Sequence, residues 1–492
     1  MGGRRREAGA GGVGVDLSRR EPIVVVGGGV TGLAAAHRLV ERGARVVLLE
    51  ASDRLGGQVR TERHSGLVLE AGADTLVAAK PAAVKLCARI GIAGELEDLA
   101  ARHGGTEVLW GDKLHRVPDG FVMVAPTRWA PVLRSPLFSW RGKLRMALEP
   151  WVRPRPAGTE DESLGSFVTR RFGREALDRA AEPIVASIFT ADADRLSLRA
   201  TMPRFLDLER KHGSVRRGLA AMTGNHAPST ARPGAFVALS GGMGRLIEGI
   251  AARLPAGSVR TGARVAGIER VRDRFAVRLE SGETVAASAI ILACPAFDAA
   301  RLVRTLDPGL STKLDELPYA SCATVSLVYA RKAVAAPLTS FGFFVPRALG
   351  LPILACSFVS EKFPSRAPAD VVVLRAFLGG ATRPEILDLT DRQLEAEAAA
   401  CLSRVLAISG PPRAAHTFRF PRAMPQYEVG AASWLADVAA RVAAIPGLAL
   451  AGSAAGAMGI PDGIRSGEEA ADRLTTVPGD SGCVAYQANQ YA

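Results

Sequence analysis

Three adjacent glycines followed by an acidic residue and a second glycine pair constrain this chain more than any other feature. The stretch is IVVVGGGVTGLAAAHRLVERGARVVLLEASDRLGG, residues 23–57. Pro22 to Gly27 reads as a short buried strand, and Thr31 to Arg42 as a helix with Leu33, Ala36, Leu39 and Val40 along one face. Arg45 to Leu49 reads as the next strand. Gly27, Gly29 and Gly32 take G-x-G-x-x-G spacing in the first turn of this strand–helix–strand unit. The first glycine permits the tight turn, the second lets backbone approach a pyrophosphate, and the third allows close helix–strand packing. A helix N-terminus then supplies anion affinity. Glu50 closes the second strand, where a carboxylate accepts hydrogen bonds from ribose hydroxyls and repels a 2′-phosphate. These residues imply a dinucleotide, FAD or NAD rather than NADP.

The continuation E-A-S-D-R-L-G-G resembles the second glycine signature of FAD-dependent amine oxidases and their relatives. That resemblance implies noncovalent FAD, with Arg54, Gly56 and Gly57 along the dinucleotide. The chain carries no second nicotinamide fingerprint, so oxygen or a quinone is the expected electron acceptor.

With 492 residues and 48% hydrophobic content, the chain is long enough for two or three globular domains. No window approaches the length of a spanning helix, so any membrane contact is expected to be peripheral. Residues 1–20 carry basic residues but no apolar core of a secretion signal and read as a disordered leader, and 476–492 as a disordered tail. Six scattered cysteines without a C-x-x-C pair, and seven dispersed histidines, give no metal or disulfide framework. A reduced, cytoplasmic setting follows. The formal charge is +13, and of 62 basic residues only eight are lysine. Arginine bias of the genome, an anionic membrane surface and a polycarboxylate substrate all fit that balance. Nucleic acid does not, since the arginines are dispersed and no recognition motif is present.

Further along, ALSGGMGRLIEGIAARL (238–254) reads as a glycine turn and amphipathic helix. Short alternating strands follow, with turns at Arg272–Arg274 and Ser281–Gly282, and lead into the apolar strand AIILAC (289–294). GLALAGSAAGAMGIPDGIRSGEEAADRL (447–474) reads as a last buried strand, a glycine-rich loop and a helix that Asp462 or Ser466 could cap. Residues 115–205 read largely as helices; Trp129, Trp140 and Trp151 form either an amphipathic face for a bilayer or ordinary core.

ESLGSFVTRRFG, AEPIVASIFTADADRLSLRATMP, LERKHGS, FPSRAP, MPQYEVG and GIPDGIRSG resemble, in order, motifs of the oxygen-dependent protoporphyrinogen oxidase family, which includes bacterial coproporphyrinogen III oxidases. The resemblance spans about residues 22–475. It implies an α/β flavoprotein of the two-dinucleotide-binding-domain type, with a Rossmann-like FAD domain of para-hydroxybenzoate-hydroxylase type. An α+β substrate domain with a mixed sheet and a helical membrane-binding subdomain complete it. On this division the FAD domain comprises 21–80, 236–297 and 441–475. The substrate domain comprises 81–114, 206–235 and 298–440, and the helical subdomain 115–205. A monomer or homodimer is expected.

The reaction implied is oxidation of a porphyrinogen, coproporphyrinogen III or protoporphyrinogen IX, by O2 with release of H2O2. Hydride leaves a meso bridge for the flavin N5, so no catalytic side chain and no metal are required. The cofactor set expected is Gly27, Gly29, Val30, Thr31, Gly32, Glu50, Ala51, Arg54, Gly56, Gly57, Gly72, Ala73, Asp74, Val265, Gly452, Gly459, Ile460, Pro461 and Ile464. The backbone of Val265 would flank the adenine, and the last helix would point its positive end at the flavin pyrimidine edge. For the substrate, Lys80 before its proline matches the family's carboxylate-binding cation, and Ile188, Phe343 and Phe358 are expected walls; alternation along the strand sends Phe343 and Phe344 to opposite faces.

The chain departs from the family in places. Ser187 and Ala191 stand where glycines are usual, and Gly430-Ala431 replaces a usual glycine-histidine. Amine oxidases usually follow the C-terminal Ala-Gly with Glu and cage the amine with an aromatic pair; here Ser453 follows Ala451-Gly452. An amine oxidase, a carotenoid-type desaturase and a non-catalytic tetrapyrrole-binding flavoprotein are the alternatives.

Overall fold

The computed structural model describes residues 21–100, 104–122, 125–156, 161–222 and 235–475. The expected leader and tail lie outside the described residues. A five-stranded parallel sheet forms the dinucleotide domain, in the order Val259–Arg260, Val46–Leu49, Ile23–Val26, Ala289–Leu292, Leu448–Leu450. Its central strands are continuous apolar runs because both faces are covered. On one face the glycine-turn helix Val30–Glu41 and the closing helix Ile460–Thr475 share a core with Leu33, Leu39 and Ile464. On the other lie the antiparallel meander Val265–Val271, Arg274–Leu279, Thr284–Ala287 and the helices Ala296–Val303 and Pro308–Asp315. The two covering helices nearly touch backbone to backbone: a Cβ on Gly467 would lie 2.3 Å from the Thr31 carbonyl oxygen. Segments from both ends of the described chain therefore build one fold.

A seven-stranded sheet forms the second body, in the order Ala414–Pro425, Tyr319–Ala330, Val371–Gly379, Ile353–Phe358, Gly342–Phe344, Glu107–Trp110, Lys113–Arg116. All its pairs are antiparallel except Gly342–Phe344 with Glu107–Trp110. One face packs on the helix Asp391–Leu406. The other meets the dinucleotide domain, where Thr324 Oγ1 donates to the Ala71 carbonyl at 2.8 Å and Arg375 Nη1 to those of Glu70 and Gly72 at 3.0 and 2.9 Å.

The helical cluster holds Trp140–Ala147, Leu164–Phe172, Glu182–Phe189, Pro203–His212 and Val215–Met222 around Phe138, Phe167 and Phe172. Arg171, fully buried, lies 3.2 Å from both Glu149 and Glu209, so its charge is neutralised where water cannot reach. Three expectations shift. The cluster runs past residue 205 to Met222, because Leu208, Val215 and Leu219 complete its core. Its start is strand, not helix, through Lys113–Arg116 and Ala125–Pro126. The helix Ala82–Arg89 packs in the dinucleotide core through Ala83, Leu86 and Cys87 instead of joining the second sheet. Among the described residues no helix is long and apolar enough to cross a membrane.

Candidate functional site

The glycine turn is shaped for a ligand. Gly27 has φ +107°, and a Cβ there would meet the Ala293 carbonyl oxygen at 2.8 Å. A Cβ on Gly32 would lie 1.9 Å from the Gly27 carbonyl oxygen, so only glycine lets the helix start this close to the strand. Around Gly29, by contrast, nothing lies within 4 Å of a Cβ: the space in front of the turn is open. The helix Val30–Glu41 has no side-chain cap and no acid in its first turn. Its orphan N–H groups face the position where a pyrophosphate would sit. The strand order puts this turn beside the switch point between Ile23–Val26 and Ala289–Leu292, where such sheets bind ligands.

Glu50 is held in place by backbone. Gly28 N donates to Oε2 at 2.6 Å, and Ser52 N donates to Oε1 at 2.8 Å. Ser52 Oγ also lies 2.7 Å from Oε1, which leaves one lone pair, on Oε2, for a ribose. Ala263 N donates to the Glu50 carbonyl at 2.8 Å, which brings buried Val265 next to this end of the cradle. Ala51 follows directly. In the second signature, Gly56 and Gly57 have φ +105° and +58°, and the Gly57 carbonyl accepts from Arg54 Nη2 at 2.6 Å. Arg54 also donates to the Leu55 carbonyl at 3.2 Å, so it ties the loop to itself.

The Gly72-Ala73-Asp74 turn divides in role. A Cβ on Gly72 would lie 2.6 Å from the Gln58 carbonyl oxygen, and Ala73 is exposed. The Asp74 carboxylate is taken up by cations of the protein: it accepts from Arg375 Nη2 at 2.7 Å and Lys362 Nζ at 2.9 Å. Burial alone would raise its pKa, but those two cations hold it well below the usual carboxylate range. Asp74 is thus a buried anchor that fixes the turn against the second sheet.

The C-terminal segment supplies the opposite wall. Gly452 N donates to Ser466 Oγ at 3.0 Å, Gly459 opens onto free space, and Ile460, Pro461 and Ile464 are buried. Neither expected cap acts as one. Ser466 holds Gly452, and Asp462 accepts from Lys80 Nζ at 2.7 Å and Arg465 Nη2 at 3.4 Å. Lys80 is therefore paired within the protein.

Phe343 and Phe358 are corrections. Both are buried in the core against Asp391–Leu406, with ring centroids 6.0 Å apart. Strand alternation did separate Phe343 from Phe344, but the neighbour, half-buried Phe344, packs toward the helical cluster. Ile188 is 47% exposed at the end of Glu182–Phe189. Ser187 Oγ donates to the Pro183 and Leu354 carbonyls at 2.7 and 3.2 Å, using its hydroxyl to join the helix to the sheet.

Sequence reasoning missed the setting of Ser453. Tyr427 donates its hydroxyl to the Ser453 carbonyl at 2.6 Å, and the Tyr319 hydroxyl lies 2.9 Å from Ser453 Oγ. The P-Q-Y motif was the available signal. A cleft of about 460 Å³ opens between Gly57, Gln58 and Ala71 on one side and Phe418, Phe420 and Arg422 on the other.

Residues 30–475 match the model of the flavin-containing amine oxidoreductases. A coproporphyrinogen III oxidase of Bacillus subtilis (strain 168) is 32% identical over 467 residues, 93% of this chain and 98% of that one. One from Propionibacterium freudenreichii subsp. freudenreichii is 33% identical over 486 residues, 92% and 90% of the two chains. Among solved structures, a protein of Exiguobacterium sp. 255-15 provisionally called a protoporphyrinogen oxidase superposes with a TM-score of 0.82 at 28% identity, covering 93% of this chain and 99% of that one.

Proposed function

Since the chain belongs to the flavin-containing amine oxidoreductase family, with FAD as its cofactor, we propose that it oxidises a porphyrinogen to the porphyrin with O2, releasing H2O2. Each round removes a hydride and a proton from the macrocycle and reduces one O2 to H2O2; three rounds complete the conjugation. Likeness over nine-tenths of its length to two chains named coproporphyrinogen III oxidase carries the reading, and makes the four-carboxylate porphyrinogen the favoured substrate.

The flavin, held noncovalently, supplies the hydride acceptor and the electrons for O2. The chain's own residues bind and orient. The open glycine turn and uncapped helix receive the pyrophosphate, Glu50 the ribose, and the first turn of Ile460–Thr475 the electron-rich edge of the ring. Lys80 shares its charge between Asp462 and a substrate carboxylate, and Ile188 contributes apolar wall. An amine-oxidase reading is weaker because Tyr319 and Tyr427 direct their hydroxyls to Ser453.

The surface of the helical cluster supports peripheral membrane contact. Trp140, Leu144 and Leu148 recur every four residues along one helix face, and with Trp151 are 74%, 64%, 47% and 71% exposed. Lys143 Nζ sits 4.7 Å from the Trp140 ring and donates to the Leu133 carbonyl, holding the indole outward. Exposed Arg134, Arg141, Arg153 and Arg155, within a few residues of these side chains in the sequence, would complement anionic headgroups. Trp129 is not part of it; it packs half-buried in the helical core under Arg216.

The test is parallel aerobic turnover of coproporphyrinogen III and protoporphyrinogen IX, read by porphyrin fluorescence and peroxide, beside anaerobic mixing. Flavin that bleaches under argon and recovers in air supports the reading. Flavin that stays oxidised with both porphyrinogens overturns it.

A further inference from the structure

The fold brings two of the dispersed histidines together. Glu62 and His64 are two apart on the strand Thr61–His64 and so point the same way, and His416 arrives from the strand Ala414–Pro425. The imidazoles stack with centroids 5.3 Å apart and planes 18° from parallel. His64 Nε2 lies 3.0 Å from Glu62 Oε2. One donor atom from each of the three residues lies within 4.8 Å of the others.

A tetrahedral ion with bonds of about 2.0–2.2 Å needs its donors roughly 3.4 Å apart. His64 is half exposed, so its ring is free to turn as the ion draws the three donors together. Two imidazoles and one carboxylate suit a borderline transition cation such as Zn²⁺, not Ca²⁺ or Mg²⁺, which take oxygen donors. The local competitor is Arg60, which is ion-paired with Glu62.

We propose that Glu62, His64 and His416 form a binding site for a divalent transition cation, which clamps the hairpin Thr61–Glu70 to the strand Ala414–Pro425. That hairpin follows the Gly56–Gly57 signature, and the strand leads to Tyr427. Glu62 and His416 also line the cleft beside Gly57. The bound cation braces the rim of the flavin-side cleft.

Zn²⁺ titrated into chelator-treated holoprotein, followed calorimetrically and by thermal unfolding, tests this. One Zn²⁺ binds per chain and raises the unfolding midpoint, as a ligand selective for the folded state must. His64→Ala and His416→Ala each weaken binding by about tenfold or more and abolish the shift. Arg60→Ala tightens it by freeing Glu62, a response that an adventitious surface histidine would not give. Mg²⁺ has no effect. An unaltered flavin spectrum shows that each variant is folded. Equal Zn²⁺ affinity in wild type and both histidine variants, or weaker binding in Arg60→Ala, overturns the proposal.

Discussion

Lys80 Nζ lies 2.7 Å from Asp462 Oδ2, joining the loop before Ala82–Arg89 to the first turn of Ile460–Thr475. The lysine side chain is 27% exposed and the aspartate 6%, so removing the cation leaves a buried carboxylate with only the longer 3.4 Å contact to Arg465, at the helix end proposed to face the flavin. Lys80→Met is expected to cost about 1–2 kcal/mol, discounted for the exposed lysine, in urea unfolding of the holoprotein. With that helix end facing the flavin, as proposed, the midpoint potential should also become more negative, because the less compensated negative charge opposes reduction. An unchanged potential would separate Asp462 from the cofactor.

Glu50 accepts two backbone N–H bonds and is the residue proposed to hold the ribose. Glu50→Ala removes charge-assisted hydrogen bonds worth about 1.5–3 kcal/mol, which lowers FAD affinity roughly tenfold to a hundredfold. Flavin released on dilution or gel filtration, quantified by fluorescence, checks it.

Glu182 has its pKa pushed up to about 7 from the ordinary 4.5, chiefly by burial, with the Arg347 amide at 3.2 Å and its guanidinium opposing. A raised carboxyl is favoured neutral in the folded state. Its contribution is therefore fully present below about pH 4.5 and is lost as pH rises through about 7. Glu182→Gln should flatten that fall and gain up to about 3 kcal/mol above neutrality, since each unit is about 1.4 kcal/mol. Urea midpoints of both proteins across this range decide it.

The Trp140 and Trp151 patch predicts binding to vesicles containing phosphatidylglycerol and little to phosphatidylcholine alone. The Trp140→Glu, Leu144→Glu double variant should lose sedimentation with anionic vesicles while keeping turnover in detergent. Equal sedimentation of both proteins would show that the patch does not face a bilayer.

The dinucleotide fold was legible in sequence because glycines report backbone geometry directly: Gly27, Gly29 and Gly32 mark a turn whatever surrounds them. Residues chosen for their side-chain chemistry were less legible, since direction and partner depend on distant strands. Phe343 alternated as expected, but which face of the sheet held the helix Asp391–Leu406 could not be read locally. Asp74 and Lys80 follow the same logic. Their partners, Arg375, Lys362 and Asp462, lie hundreds of residues away, and nothing in the local pattern announces them. Gly173, at φ +95°, ends the helix Leu164–Phe172 inside a stretch whose composition reads largely as helix.

Thr31 and Gly467 meet across the whole length of the chain, which sets a timetable for biosynthesis. On the ribosome, the first βαβ unit emerges without the helix that covers it, and that side of the sheet is sealed only once translation has passed Thr475.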